Sequence, residues 1–367
     1  MHNSPLRLAR NVLILALITG CAANGPTLGG DKAGGLPAGG PVILRLASTS
    51  GLLSDVPPVA YFVRRVEQLS HGSIEIRVVG AWGNFAPDAE ARVVRAVASG
   101  TADLGWAGSR VLDTLGVPAF KVLSAPMLID SYPLERAVLA SSIPARLLPL
   151  MRRLGVTGLA LLGEDLRFPI GVAHALLTTA DWHDIGFGTL RSGIQEHAIA
   201  ALGAHPVEAF GATRTVAIEE RRIAGFELDV RRLYVDVGAG TARYVSANVH
   251  LWPQFDVLVA NPARLSQLSA RQRGWLQEAA VDAMQSSVAL AQDSAERYVL
   301  DACRLGARFA FATNADLASM QRAFSPIYRQ LADDQATSAS LATIERLRRS
   351  TPAGPPPAIP ARCQLAP

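Results

Sequence analysis

From Val42 onward, stretches with a two-residue apolar period take turns with stretches of helical period. The run "VILRLAST" (42–49) alternates and predicts a strand. In "VPPVAYFVRRVEQLSHG", Val59, Phe62, Val63, Val66 and Leu69 recur at helical spacing, and Gly72 supplies a stop. "SIEIRVVG" predicts a second strand. "PDAEARVVRAVASG" predicts a helix, with proline at its start, acids early and Gly100 at its end. "TADLGWAG" predicts a third strand. Strand, helix, strand, helix, strand argues for a parallel sheet covered by helices.

Further along, a helix is predicted from about 134 to 153. "VTGLALLGE" predicts a strand leading into "DLRFPIGVAH", and "FGTLR" another strand followed by a helix through Leu202. "TVAIEERRIAG" predicts a short helix, "FELDVRRLYVDVG" an extended segment, and "FDVLVAN" (255–261) a strongly apolar strand. The remainder reads as mostly helical. The stretch from Ser269 to Leu305 is long for one globular helix and predicts either a bend or a bridge between domains. The end, "TPAGPPPAIPARCQLAP", is proline-rich and predicts irregular structure.

Composition changes this picture in two places. The chain has 367 residues, 49% hydrophobic and only 18% charged, which suits large buried surfaces and two ordinary domains or one large one. The net charge is +4, and removal of residues 1–20 with Arg7 and Arg10 leaves +2, so a nucleic-acid binder is disfavoured. "MHNSPLRLAR" followed by the apolar "NVLILALITG" predicts a secretory signal, since the run is too short to cross a bilayer. Its end, "ITGC", resembles a bacterial lipobox, which implies that Cys21 is diacylated and becomes the mature N-terminus. The glycine- and proline-rich segment after it predicts a flexible tether over 21–41. Two other cysteines, Cys303 and Cys363, have no zinc spacing. An envelope location permits them to pair, and nothing in the sequence fixes their distance.

Candidate chemistry centres on "GTLRSGIQEHAIAALGAHPV" (188–207), where Arg191 closes a predicted strand. Ser192 with Gln195 three residues on predicts a capping box for the helix that follows. Free N–H groups and the positive end of that helix would then face the space beside Arg191. Ligands of α/β sheets sit just outside the carboxyl ends of strands. An arginine there can grip a carboxylate with two parallel hydrogen bonds. It can equally pair with a nearby acid or stay exposed, and the local pattern fits either.

Five further stretches, in order, resemble the substrate-binding proteins of TRAP (tripartite ATP-independent periplasmic) transporters: "FVRRVEQLSHGSIEIRVVG", "AEARVVRAVASGTADLGWAG", "PAFKVLSAPMLIDSY", "LRSGIQEHAIAALGAHPVEAF" and "WPQFDVLVANPARLSQLSARQRGWLQEAA". The resemblance runs from about 42 to 335. It implies an α/β, two-domain, periplasmic-binding-protein-like (type II) fold with hinge strands and a long C-terminal helical segment. The implied division is 42–164 with 254–295 as domain I, 165–253 with 296–345 as domain II, and 346–367 as a tail. It implies that Arg191 salt-bridges a substrate carboxylate and that Arg167 assists, a solvated or interdomain ion pair being the competing reading for Arg167. Phe210 falls at a pocket wall, where plain core packing is the competing reading. Trp106, Gly108 and Ser109 fall at the lip of domain I, with Trp106 equally readable as packing.

This sequence departs from the family pattern at Ala212, Ala224 and Leu228, and "FPIGVAH" is more apolar than the usual segment. Those departures predict a pocket with few polar groups, suited to a small or apolar carboxylate. No catalytic, metal or cofactor motif is read: there is no G-x-S-x-G, H-E-x-x-H or Walker A, and the Gly238/Gly240 pair lacks the third glycine of a dinucleotide loop. The expected function is an extracytoplasmic receptor that delivers an organic acid to a TRAP-type permease, anchored to the membrane through Cys21. A lipoprotein scaffold or sensor with a degenerate pocket, and an envelope α/β enzyme, remain as alternatives.

Overall fold

The computed structural model describes residues 40–237, 241–354 and 358–365. The signal segment, Cys21, most of the tether and the Gly238/Gly240 pair lie outside the described residues. Among the described residues ten strands appear in chain order: β1 (Val42–Ala47), β2 (Ile74–Val79), β3 (Leu104–Gly108), β4 (Thr157–Gly171), β5 (Gly186–Thr189), β6 (His205–Glu208), β7 (Gly225–Leu228), β8 (Tyr244–Ser246), β9 (Trp252–Ala260) and β10 (Arg308–Ala310). The main path of the sheet is β2-β1-β3-β9-β4-β7-β5-β6, with β8 pairing to both β4 and β10.

The first three strands are parallel, as their alternation with helices predicts. β9 then runs antiparallel between β3 and β4, and these two long central strands link both halves of the sheet. Beyond them, β7 is antiparallel to β4, while β5 and β6 are parallel to β7 and to each other. β4 continues from Thr157 straight through the arginine segment to Gly171. Its register with β9 slips between Gly163 and Leu166, a bulge that holds Glu164 and Asp165. A regular strand would point residues 164 and 167 to opposite faces; the inserted residue re-aims one of them.

The stretch from 269 to 305 is one helix, Ala270–Arg304, opened by a capping box in which Ser269 and Gln272 satisfy each other's backbone N–H groups. Its buried face carries Ala279, Ala280, Ala283, Ser287 and Ala291, small residues that let the helix lie close on β4. Gly163 N–H donates to Ser287 Oγ at 2.9 Å across that contact. Leu44, Leu46, Phe62, Val66, Leu162 and Leu258 fill the rest of this core.

Three local expectations are corrected. The single helix predicted over 134–153 is three pieces, Tyr132–Leu139, Ile143–Leu147 and a 3₁₀ segment Leu148–Leu154. Pro144 and Pro149 each sit in a first turn, where proline restarts a helix but cannot continue one. The segment 226–238 is extended only to Leu228. Asp229 then accepts a hydrogen bond from Arg232 N–H at 2.8 Å and caps a helical turn, Val230–Arg232. The Ser192–Gln195 capping box does not form: Ser192 precedes the helix Gly193–Ala201 but makes no side-chain cap, and Ser192 Oγ and Gln195 Oε1 are both buried without a hydrogen-bond partner.

Cys303, at the end of the long helix, is bonded to Cys363, with Cα atoms 5.7 Å apart. Both are buried in the second apolar cluster with Phe309 and Ile359. Among the described residues no helix is long and apolar enough to cross a membrane.

Candidate functional site

A cavity of about 530 Å³ opens at the carboxyl ends of β1 and β3 on one side and of β5, β6 and β7 on the other. That is where a ligand of an α/β sheet belongs. After β1 come Thr49, Ser50, Leu52 and Asp55; after β3 comes Arg110; β5 ends in Thr189, and Leu190 follows it. The segment after β6 supplies Phe210, Ala212, Arg214 and Thr215, and β7 supplies Phe226, Glu227 and Leu228. The central strands contribute Glu164 and Arg167 from β4 and Gln254 from β9.

Four arginines (Arg110, Arg167, Arg214, Arg232) and four acids (Asp55, Glu90, Glu164, Glu227) are among the lining residues. The expectation of a sparsely polar pocket is therefore corrected. Leu228 and Ala212 do line the wall, as their sequence positions imply, but of the charged groups only Arg167 comes from a position that the family pattern flagged. Their signal was present in the sequence: "GEDLR" and "FELD" place charges inside otherwise apolar strands, where unpaired charges are rarely buried without purpose.

Arg167 is 4% exposed. Its Nη1 lies 3.4 Å from Asp229 Oδ2 and 3.7 Å from Glu227 Oε2, without hydrogen-bond geometry. Its Nε has no hydrogen-bond partner among the described residues. A buried guanidinium with donors to spare is poised to receive an anion. Burial raises Glu227 above the usual carboxylate range, against the pull of Arg167 and Arg110. Burial also acts on Asp229, but Arg167, Arg231 and Arg232 together outweigh it and hold that carboxyl below its ordinary value. Arg231 Nε donates to Asp165 Oδ2 at 3.4 Å beneath the site.

On the opposite wall, Arg110 Nη2 donates to Glu90 Oε2, and Gly108 N–H donates to Glu90 Oε1 at 2.9 Å. A Cβ on Gly108 would fall 2.8 Å from both Glu90 Oε1 and Gln254 Nε2. Glycine at 108 thus leaves room for these two side chains of the cavity wall. Gly108 and Ser109 are not among the lining residues; Ser109 is buried and opens a 3₁₀ turn. Trp106 does line the cavity while donating from Nε1 to Ser48 Oγ at 3.2 Å, so it packs and lines at once. Phe210 lines the cavity half-buried. It is held by Thr213, which accepts from Phe210 N–H and donates to Phe210 C=O. Gly211 follows it at φ 51°, a left-handed bend that allows the next helix to begin. Arg214 lies 5.1 Å above the Phe226 ring centroid.

Arg191 is placed differently from Arg167. Leu190 lines the cavity and Arg191 does not. The Arg191 side chain is 45% exposed, and its Nη2 donates to Glu208 Oε2 at 3.0 Å on the neighbouring strand. That hydrogen bond is also the main reason its basicity is raised.

The model of the family described as bacterial extracellular solute-binding protein, family 7 (DctP), matches residues 56–335. No curated protein matches the chain. Among solved structures, the sugar acid binding protein of Advenella mimigardefordensis in complex with galactonate superposes with a TM-score of 0.75 at 19% identity, covering 84% of this chain and 99% of that one. A TRAP periplasmic solute binding protein from Chromohalobacter salexigens with bound D-glucuronate gives 0.73 at 20% identity over 83% and 99%. A Bordetella pertussis extracytoplasmic solute receptor binding pyroglutamic acid gives 0.72 at 17% identity over 83% and 99%. These likenesses bear on the fold, which agrees with the α/β architecture and long C-terminal helix expected above. With the family model spanning most of the folded chain, the protein belongs to the DctP family of bacterial extracellular solute-binding proteins.

Proposed function

We propose that the cavity binds a small hydroxylated organic carboxylate and that the protein carries it to a TRAP-type membrane permease. The observation that carries this reading is Arg167, a buried guanidinium on the cavity wall whose Nε makes no hydrogen bond to the described protein. Around it stand hydroxyl, amide and carboxyl groups from Thr49, Ser50, Thr189, Gln254 and Glu164, enough donors and acceptors for the hydroxyls of a sugar acid. The ligands in the solved relatives, galactonate, D-glucuronate and pyroglutamic acid, are all small carboxylates. The family is one of receptors, and this chain is read as binding its ligand without turnover.

In this proposal Arg167 anchors the carboxylate and Arg191 joins it from the rim. The Arg191–Glu208 pair is solvent-exposed, and such pairs contribute only about 0.2–1 kcal/mol, so a ligand carboxylate can displace it. Phe210 and Trp106 would shape the apolar parts of the wall. The bodies that close would be 42–164 with 254–295 and 165–253 with 296–345, hinging where β4 and β9 pass from one half of the sheet to the other. Cys21 would anchor the protein in the membrane by a lipid.

A thermal-shift screen of organic acids tests the binding reading. An acid present at a hundredfold excess over its Kd stabilises a receptor by about 2.7 kcal/mol, a shift that neutral sugars of the same size should not give. No shift from sugar acids, oxo acids and pyroglutamate alike would count against it. Fractionation tests the anchor: Cys21→Ser should move the protein from the membrane to the soluble fraction.

A further inference from the structure

Among the described residues, Glu164 is the buried acid of the cavity wall whose setting is not explained by an arginine partner; Asp55, also unpaired, is only partly buried. Asp229, Glu227, Glu90 and Asp165 each have an arginine nitrogen within 4 Å. Among the described residues none comes that close to Glu164, which is 4% exposed and whose Oε1 has no hydrogen-bond partner. The β4 bulge turns it to the same cavity as Arg167. Other acids crowd it. Asp256 stands on β9, opposite Leu162, and Asp229 stands at the start of the 230–232 turn. Glu135 of the helix Tyr132–Leu139 sits behind the strand, with Oε1 2.6 Å from where a Cβ on Gly163 would be. Asp165 follows on its own strand. The cations that act on it are Arg231 and Arg232, with Arg167 from its own strand, none at ion-pair distance among the described residues, while the long helix meets this strand with Ser287 and Val288.

A buried carboxyl without a close cation avoids the cost of a buried charge by staying neutral. A neutral carboxyl is a hydrogen-bond donor, whereas a carboxylate only accepts and repels an incoming anion. We propose that Glu164 carries a proton at neutral pH and donates it as a hydrogen bond to the anionic ligand, so that the receptor binds its acid only in the protonated form of this wall. The proton stays on Glu164 through binding; no bond other than the hydrogen bond forms. The proposal rests on the carboxylate-receptor reading and adds a selection rule to it: anion recognition by Arg167 and Glu164 together. Burial, reinforced by Asp256 and opposed by Arg232 and Arg231, pushes the Glu164 carboxyl up to about 8. Asp165, also raised chiefly by burial, stands at about 7, and Asp256 at about 6.

Two measurements test it. The first needs no ligand: carbon NMR of protein labelled at the glutamate carboxyls, titrated from pH 5 to 10. A resonance with a midpoint at about 8 that vanishes in Glu164→Gln is expected. A Glu164 resonance that is ionised at pH 7 overturns the proposal. The second is calorimetry with D-glucuronate in two buffers of different ionisation enthalpy. Between pH 7 and pH 9 the wild-type Kd should weaken about tenfold, with uptake of about one proton per glucuronate at pH 9. Glu164→Gln, whatever its affinity, should show the same Kd at both values and no uptake, while Asp165→Asn should keep the tenfold change. A flat wild-type profile, or a tenfold change that survives in Glu164→Gln, overturns it. Absence of any glucuronate heat counts against the receptor reading instead, and the resonance still decides the state of Glu164.

Discussion

The Cys303–Cys363 bond ties a segment beyond the family-matched region to the end of the long helix, and its removal has a calculable cost. The two residues are separated by 60 positions. Closing a loop of that length removes denatured-state entropy equivalent to about 4 kcal/mol at 25 °C. For a folded unit of this size, an unfolding entropy of about 2 cal/mol/K per residue converts that to about 6 °C in Tm. The bond also holds Cys363 beside Phe309 and Ile359, where Leu365 N–H donates to Phe309 C=O at 2.8 Å, so the terminal segment should loosen with it. Differential scanning calorimetry with and without a phosphine reductant is the assay. Reduction leaves two small apolar thiols in place and isolates the crosslink from the packing. A Cys303→Ser/Cys363→Ser variant should melt at or below the reduced wild type and ignore the reductant. If the reduced and oxidised proteins melt together, the bond is not a stabilising crosslink and the entropy argument fails here.

Two further outcomes follow from single contacts. Gly163→Ala would set a Cβ 2.6 Å from Glu135 Oε1 and 2.7 Å from Val288 Cγ2, so it should lower stability by about 1–3 kcal/mol in urea unfolding; an unchanged midpoint would contradict that contact. Arg191→Ala should change stability by less than about 1 kcal/mol, because its pair with Glu208 is exposed, yet weaken binding of an acid found by the screen; unchanged affinity would remove Arg191 from the proposed anchor.

Much of the frame was legible in the sequence because its signals are local. Alternation in "VILRLAST" and "SIEIRVVG" and helical spacing in 56–72 gave strands and helix where they occur, while the 269–305 pattern, read as a bend or a bridge because of its length, is one helix. Prolines 144 and 149 and the capping Asp229 were equally local signals, and reading them as punctuation would have corrected both segments. The site was less legible. Arg167 could be placed by its strand, but the bulge that turns Glu164 towards it depends on the register with β9, which no local pattern encodes. Arg110, Arg214 and Arg232 reach the cavity from three separate elements, so only the assembled fold brings them together. The Ser192–Gln195 pair shows the reverse case: a correct capping pattern whose side chains are buried elsewhere by tertiary packing.

The central claim is that Arg167 receives the ligand's carboxylate, and titration calorimetry of wild type against Arg167→Lys, using the most stabilising acid from the screen, tests it most directly. Lysine keeps the charge beside Glu227 and Asp229 but loses the planar fork, and one lost charge-assisted hydrogen bond is worth about 1.5–3 kcal/mol. The account predicts a Kd weaker by about tenfold to 150-fold with the variant still folded. An affinity within about twofold of wild type, against that expectation of at least one lost bond, would place the carboxylate elsewhere.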